Sequence, residues 1–159
     1  MKHVLLVLCL LLSTNALADS TGALDVGLGV FNSGKQSLSE TKMASYTEQT
    51  SISDAFRLRA TGGFWVDVTQ GKSSSGFAAG QLGYEVNSKG TVLGAFTGPA
   101  LITNTDVLLG GHFQFMDEFH LGLQDEGKSY IGVFYRHLSS AGLEMPNIGR
   151  DLVGIELRF

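Results

Sequence analysis

Cysteine is almost missing from this sequence. The single Cys9 lies within the first eighteen residues, so neither a disulfide nor a thiolate metal site can staple the remainder. Proline is scarce too, with only Pro99 and Pro146. Beyond residue 18 no stretch offers the eighteen consecutive apolar residues of a membrane helix, which excludes a helical membrane protein. Basic residues are in the minority: 11 Lys and Arg face 15 Asp and Glu, a net charge of −4. That balance argues against nucleic acid as a partner, since nucleic acid attracts basic patches.

The start of the chain reads as an export signal. Lys2 and His3 are followed by an apolar run from Val4 to Leu12 and by Ala16-Leu17-Ala18, an A-x-A cleavage pattern. The run is about half the ~20 residues that span a bilayer as a helix, so it is no anchor. Leu8 stands before Cys9 where a lipoprotein signal needs a small residue. The expectation is a cleaved signal peptide over 1–18 and one exported domain over 19–159. Loss of Lys2 leaves that domain slightly more acidic.

What is abundant is glycine, 21 of 159 residues, well above the usual ~7%. With it comes period-two alternation, the signature of strands with one apolar face. Between Val107 and Gln124, one parity holds Val107, Leu109, Phe113, Phe115, Phe119, Leu121 and Leu123. The other holds His112, Gln114, Glu118, His120 and Gln124. Asp117 interrupts the apolar parity, and a bulge is the expected reason. Further strands are expected over 22–32, 52–60, 63–70, 76–86, 91–103, 129–139 and 151–159. Gly98-Pro99 weakens the 91–103 strand, because proline cannot donate to a ladder. Asn87-Ser88-Lys89-Gly90 and Asp125-Glu126-Gly127-Lys128 read as turns, and Ser33 to Gln49 as a long Ser/Thr-rich loop. Trp65, Tyr84 and Tyr130 read as interface-belt aromatics.

The fold class expected is all-β: an eight-stranded antiparallel up-and-down transmembrane β-barrel. Alternation alone does not separate membrane barrels from soluble ones; the last strand does. Val153, Ile155, Leu157 and Phe159 share a face with Asp151, while Gly154, Glu156 and Arg158 share the other with Leu152. Charges beside a glycine suit a narrow polar lumen, and the apolar parity suits lipid. A terminal Phe on such a strand also resembles the assembly signal of bacterial outer-membrane proteins.

The last two strands carry the chemistry. On 129–139, Ile131, Val133, Tyr135, His137 and Ser139 share a face, and Arg136 lies on the opposite, wet one. His137, Ser139 and Asp151 therefore point towards lipid. A serine hydroxyl is a poor nucleophile until a base removes its proton, and His137 is the base at hand. A carboxylate on the far ring nitrogen, here Asp151, holds the tautomer and stabilises the charged imidazole. Strand spacing of i and i+2 brings His137 and Ser139 within about 7 Å. Eight residues from Asp151 to Phe159 rise about 26 Å, or roughly 20 Å of height at a tilt near 40°. With both chain ends in the periplasm, the three residues sit near the outer edge of the apolar band, where lipopolysaccharide presents ester-linked acyl chains.

The segment His137-x-Ser139-Ser140-Ala141-Gly142, followed by Pro146-Asn147-x-Gly149 and an acidic residue before a Phe-terminated strand, resembles the lipid A 3-O-deacylase (PagL) family. The detailed likeness covers roughly residues 111–159. It implies an eight-stranded outer-membrane barrel with a Ser-His-acid triad on its exterior, acting on lipid A without a cofactor or metal. By this resemblance Ser139 is the nucleophile, His137 the general base and Asp151 the acid, where the family has Glu. Asn147 and the Ser140 N–H become the oxyanion hole; the family has Asn in place of Ser140. Expected partners are lipid A and outer-membrane lipid, and pairing into a homodimer is left open. His112, His120 and Glu118 read as solvated or mutually bonded lumen residues rather than metal ligands, and Glu144 as a less favoured acid. Two alternatives stay open: a non-enzymatic OmpA/OmpX-like barrel for envelope integrity or adhesion, and a soluble lipocalin-like carrier.

Overall fold

In a computed structural model, residues 20–31, 41–67, 74–105, 108–126, 129–145 and 147–159 are described. The export signal expected over 1–18 lies outside them. Eight antiparallel strands form a closed barrel in simple chain order: β1 (Ser20–Phe31), β2 (Thr41–Ser51), β3 (Phe56–Asp67), β4 (Ser74–Ser88), β5 (Thr91–Ile102), β6 (Phe113–Gln124), β7 (Tyr130–Ser139) and β8 (Arg150–Arg158). Pairing of β1 with β8, from Ala23↔Arg158 to Phe31↔Asp151, closes the wall and removes both edges. No described helix is long and apolar enough to cross a membrane.

Alternation sorts the two faces as expected. Val153, Ile155 and Leu157 are exposed on β8, and Leu152, Glu156 and Arg158 are buried. Large apolar side chains dominate the outside, among them Leu24, Val26, Leu28, Phe119, Leu121 and Val133. Phe56 and Tyr84 meet edge-on at the end where β1 starts and β8 finishes, and Phe113 and Phe115 do so at the other. An apolar outer band with aromatic ends, around a polar interior, is a barrel turned inside out for lipid.

The interior is filled with paired charged side chains and rings. Arg59 lies between Glu118 and Glu156, donating to Glu156 at 2.7 Å. Arg136 reaches Glu118, Asp25 and Ser45, the last two at 3.0 Å. Arg158 binds Glu85 and Glu156. Four guanidiniums also stack on inward rings: Arg59 on Phe96, Arg136 on Phe134, Arg158 on Tyr130 and Arg150 on Trp65. Trp65 and Tyr130 are thus buried plug residues, correcting their reading as interface aromatics; Tyr84 does face outward. Glu118, His120 and Glu156 lie within 4.8 Å of one another, but Arg59 already supplies the positive charge there. His112 does not join them. It is exposed, at hydrogen-bond distance (3.0 Å) from the Ile102 carbonyl.

Removing one member of such a buried network strands its partners. Glu118→Leu leaves Arg59 and Arg136 each short of a carboxylate. It should destabilise the folded barrel by about 3–5 kcal/mol, read as a lower urea midpoint in detergent micelles.

Strand count agrees with the sequence, but by two errors that cancel. Residues 41–51, read as part of a loop, form β2; its inward parity is Thr41, Met43, Ser45, Thr47 and Gln49. Those hydroxyls bond within the plug, as Ser45 and Thr47 do to Asp25. Polarity facing inward hid the strand. Conversely, the two strands expected over 52–60 and 63–70 are one, since β3 runs unbroken from Phe56 to Asp67. A Cβ at Gly63 would come within 2.5 Å of Ser45 Cβ and 2.8 Å of Phe77, so this glycine admits neighbours rather than ending a strand.

Three smaller readings also change. β6 begins at Phe113, and Leu109 is fully buried instead of lipid-facing. Pro99 sits on β5, beside a gap in the β4–β5 ladder between Ala79↔Ala100 and Leu82↔Thr97. The β4–β5 turn narrows to Lys89-Gly90, both with positive φ, while Asn87 Oδ1 accepts the Gly90 N–H.

Candidate active site

Register builds the site. Cα partners run Thr97↔Asp117, Asp117↔His137 and His137↔Asp151 from β5 to β8. One polar row thus crosses four strands on an otherwise apolar outer wall, at the barrel end opposite Ser20 and Phe159. No bulge shifts the pairing at Asp117, contrary to the sequence expectation. That carboxylate keeps the lipid-facing parity and accepts the Thr97 hydroxyl at 2.5 Å.

His137 and Asp151 stand directly opposite, Nδ1 to Oδ1 at 2.7 Å. Directly opposed strand residues have Cβ atoms about 4.5–5.5 Å apart, close enough for an aspartate to reach without the extra methylene of glutamate. The same Oδ1 accepts the Tyr135 hydroxyl at 2.6 Å. The imidazole lies over Gly149, whose added Cβ would meet Cε1 at 2.6 Å and Nε2 at 3.3 Å. Gly149 also has φ +84°, so both its backbone and the space beside it exclude a side chain.

Ser139 follows two residues on, on the same outward parity and half-buried. Among the described residues no hydrogen bond yet joins it to His137. Beyond it, Ala141 (φ 51°) and Gly142 (φ 82°) turn the chain sharply. The loop back to β8 is pinned from below. Ile148 and Gly149 donate to the Leu108 carbonyl, and Asn147 bridges to Leu109.

Asn147 and Ser140 come together, but not as two free donors. Ser140 N–H donates to Asn147 Oδ1 at 2.8 Å, and its hydroxyl donates to the Glu144 carbonyl at 2.9 Å. Ser140 is therefore spent on shaping the loop. Its grip turns the Asn147 amide so that Nδ2 is the end left over. Glu144 is exposed, its carboxylate lying over Gly111 and away from His137.

A sequence profile of the lipid A 3-O-deacylase (PagL) family matches residues 40–159. The chain belongs to that family. It is thereby an outer-membrane barrel among hydrolases that deacylate lipid A. Among solved structures it is similar to one described as the crystal structure of the outer membrane enzyme PagL: 20% identity, TM-score 0.61, 86% of this chain and 98% of that one. The backbone structure of the Yersinia pestis outer membrane protein Ail in a phospholipid bilayer nanodisc is also similar, at 9% identity and TM-score 0.51, covering 89% of this chain and 100% of that one. Both likenesses concern the fold. No curated protein sequence matches.

For a PagL-family barrel, sequence reasoning overlooked Tyr135 and Asp117. Tyr135 has the right parity and the spacing of a residue one pair below His137. Asp117, a carboxylate on a lipid-facing parity, was itself the signal: such a charge is costly mid-membrane, so it marks a partner or a boundary.

Gly149→Ala should cut kcat/KM by about 100-fold, the scale of a 1 Å misplacement of a catalytic group. Gly142→Ala is the control. It too is left-handed, but nothing lies within 4 Å of its added Cβ. Equal losses in the two variants would place the effect in backbone strain instead of the His137 ring.

Proposed function

We propose that this barrel is a serine esterase of the outer leaflet that removes one ester-linked acyl chain, the 3-O chain, from lipid A. The observation that carries the proposal is the 2.7 Å contact of His137 with Asp151 on the lipid-facing wall, with Ser139 on the same face.

Asp151 holds Nδ1–H of His137, leaving Nε2 as the basic atom. Nε2 takes the Ser139 proton as Oγ attacks the acyl carbonyl carbon. The oxyanion is met by Asn147 Nδ2, whose amide is oriented by Ser140 N–H; one such donor is worth roughly 3 kcal/mol. As the tetrahedral intermediate collapses, His137 returns the proton to the departing sugar hydroxyl. Water then attacks the acyl-enzyme, again deprotonated by His137, and the fatty acid leaves with Ser139 restored. Base–nucleophile hydrogen bonds are often long without substrate and tighten when it binds, which fits the open Ser139–His137 pair. No step uses a metal or cofactor.

Tyr135 bonds the oxygen of Asp151 that faces His137, and so positions the acid. With Ser20 and Phe159 on the periplasmic side, the row Thr97–Asp117–His137–Asp151 lies at the outer leaflet. There a lipid-facing charge costs about 0–1 kcal/mol instead of 2–4.

Mass spectrometry of lipid A from cells with and without the protein tests this directly. Loss of the mass of one 3-O-linked acyl chain is expected. Unchanged lipid A would end the reading and leave a barrel without esterase function.

A further inference from the structure

Among the described residues that face outward from the strands, Lys42 is the single Lys or Arg. Every described arginine of the strands points inward, but Lys42 is exposed on β2. No described acidic group pairs with it. Unpaired cations facing lipid are costly at mid-membrane and tolerated only near its surface.

Register places it on the row of Tyr135, one pair below His137. Lys42 pairs with Leu28, Leu28 with Val153, and Val153 with Tyr135. Three strand spacings of about 4.8 Å separate Lys42 from Tyr135, roughly 14 Å along the wall. Along that surface runs a cleft of about 740 Å³, lined by Lys42, Leu28, Val153 and Tyr135 and continuing past Tyr135 to Phe119 and Leu93. Apart from Lys42, the Tyr135 hydroxyl and the buried His120 the lining is apolar, and that hydroxyl touches Asp151. One end of the cleft is therefore cationic, its floor is greasy, and at Tyr135 it is tied to the catalytic row.

From this we infer that Lys42 is an anchor for the phosphate of the substrate's head group. A cation at one end and apolar wall between are complementary to an anionic amphiphile such as lipid A. A neutral lipid would satisfy the floor and leave the ammonium unpaired. The inference rests on the proposed deacylase reading for its substrate, but not for its binding test.

Two measurements decide it. In detergent micelles, full-length protein carrying Ser139→Ala is immobilised, and retention of radiolabelled lipid A is compared with that of the same lipid A stripped of phosphate. Adding Lys42→Gln should weaken retention of the phosphorylated lipid about tenfold, near the lower end of what a hydrogen bond to a charged group is worth. It should leave the dephosphorylated lipid unaffected, and Lys42→Arg should restore most of the loss. With Ser139 intact, Lys42→Gln should raise KM for phosphorylated lipid A while kcat is kept. If Lys42→Gln retains phosphorylated lipid as well as the parent, or loses both lipids equally, the anchor is overturned. If neither lipid is hydrolysed by the Ser139 protein, the deacylase reading falls, and the retention ratio still judges Lys42.

Discussion

Ser139→Ala should lower deacylation of lipid A by at least about 10⁴-fold, the scale seen when a triad nucleophile is removed. The barrel should assemble as before. Ser139 sits at the end of β7, half-buried, and its hydroxyl supports no hydrogen bond among the described residues, so deleting one oxygen disturbs little. Heat-modifiable migration on gels reports assembly, and lipid A mass reports the chemistry. An alanine variant that still shortens lipid A would remove Ser139 from the mechanism. Its neighbour could not step in easily: Ser140 is fully buried and its hydroxyl is engaged by the Glu144 carbonyl.

The second large effect concerns the acid. Asp151→Asn should reduce kcat by about 10³–10⁴-fold with KM little changed, as for other triads deprived of their carboxylate. An amide cannot balance the imidazolium that forms when His137 takes the serine proton. It also competes for the tautomer, since its NH₂ would face Nδ1. Asp151→Glu keeps the charge and should stay within about tenfold of the parent, because Tyr135 and His137 both bond the carboxylate through side chains that can shift. Full activity in Asp151→Asn would pass the orienting role to Asp117, which faces His137 from the other side on β6. A double variant would settle that by losing what the single one kept.

Much of this molecule is visible in its residues taken one strand at a time. Parity alone assigns lipid and lumen faces on β6, β7 and β8. Asp117 and Asp151 apart, those strands bury their charges on one side and expose aliphatic side chains on the other. The outward projection of His137, Ser139 and Asp151 is legible for the same reason. Where parity is weak, reading fails. On β2 the inward face is built from hydroxyls that need partners on other strands, and nothing local announces those partners. The boundary expected between 60 and 63 disappears once Ser45 and Phe77 are seen against Gly63. Asp117 looks like a fault in a pattern until pairing brings it beside His137.

By itself, then, the order of residues determined the barrel's class, its two faces and the outward set of His137, Ser139 and Asp151, because alternation is a property of neighbouring positions. Tertiary structure alone decided register: that Asp151 stands opposite His137 at 2.7 Å, that Ser140 N–H is given to Asn147, that arginines close the interior, and that Lys42 shares a cleft with Tyr135. Register is a relation between strands, and a slip of one residue would reverse every face. It is settled by the summed fit of a buried plug and a closed wall, which no single segment contains.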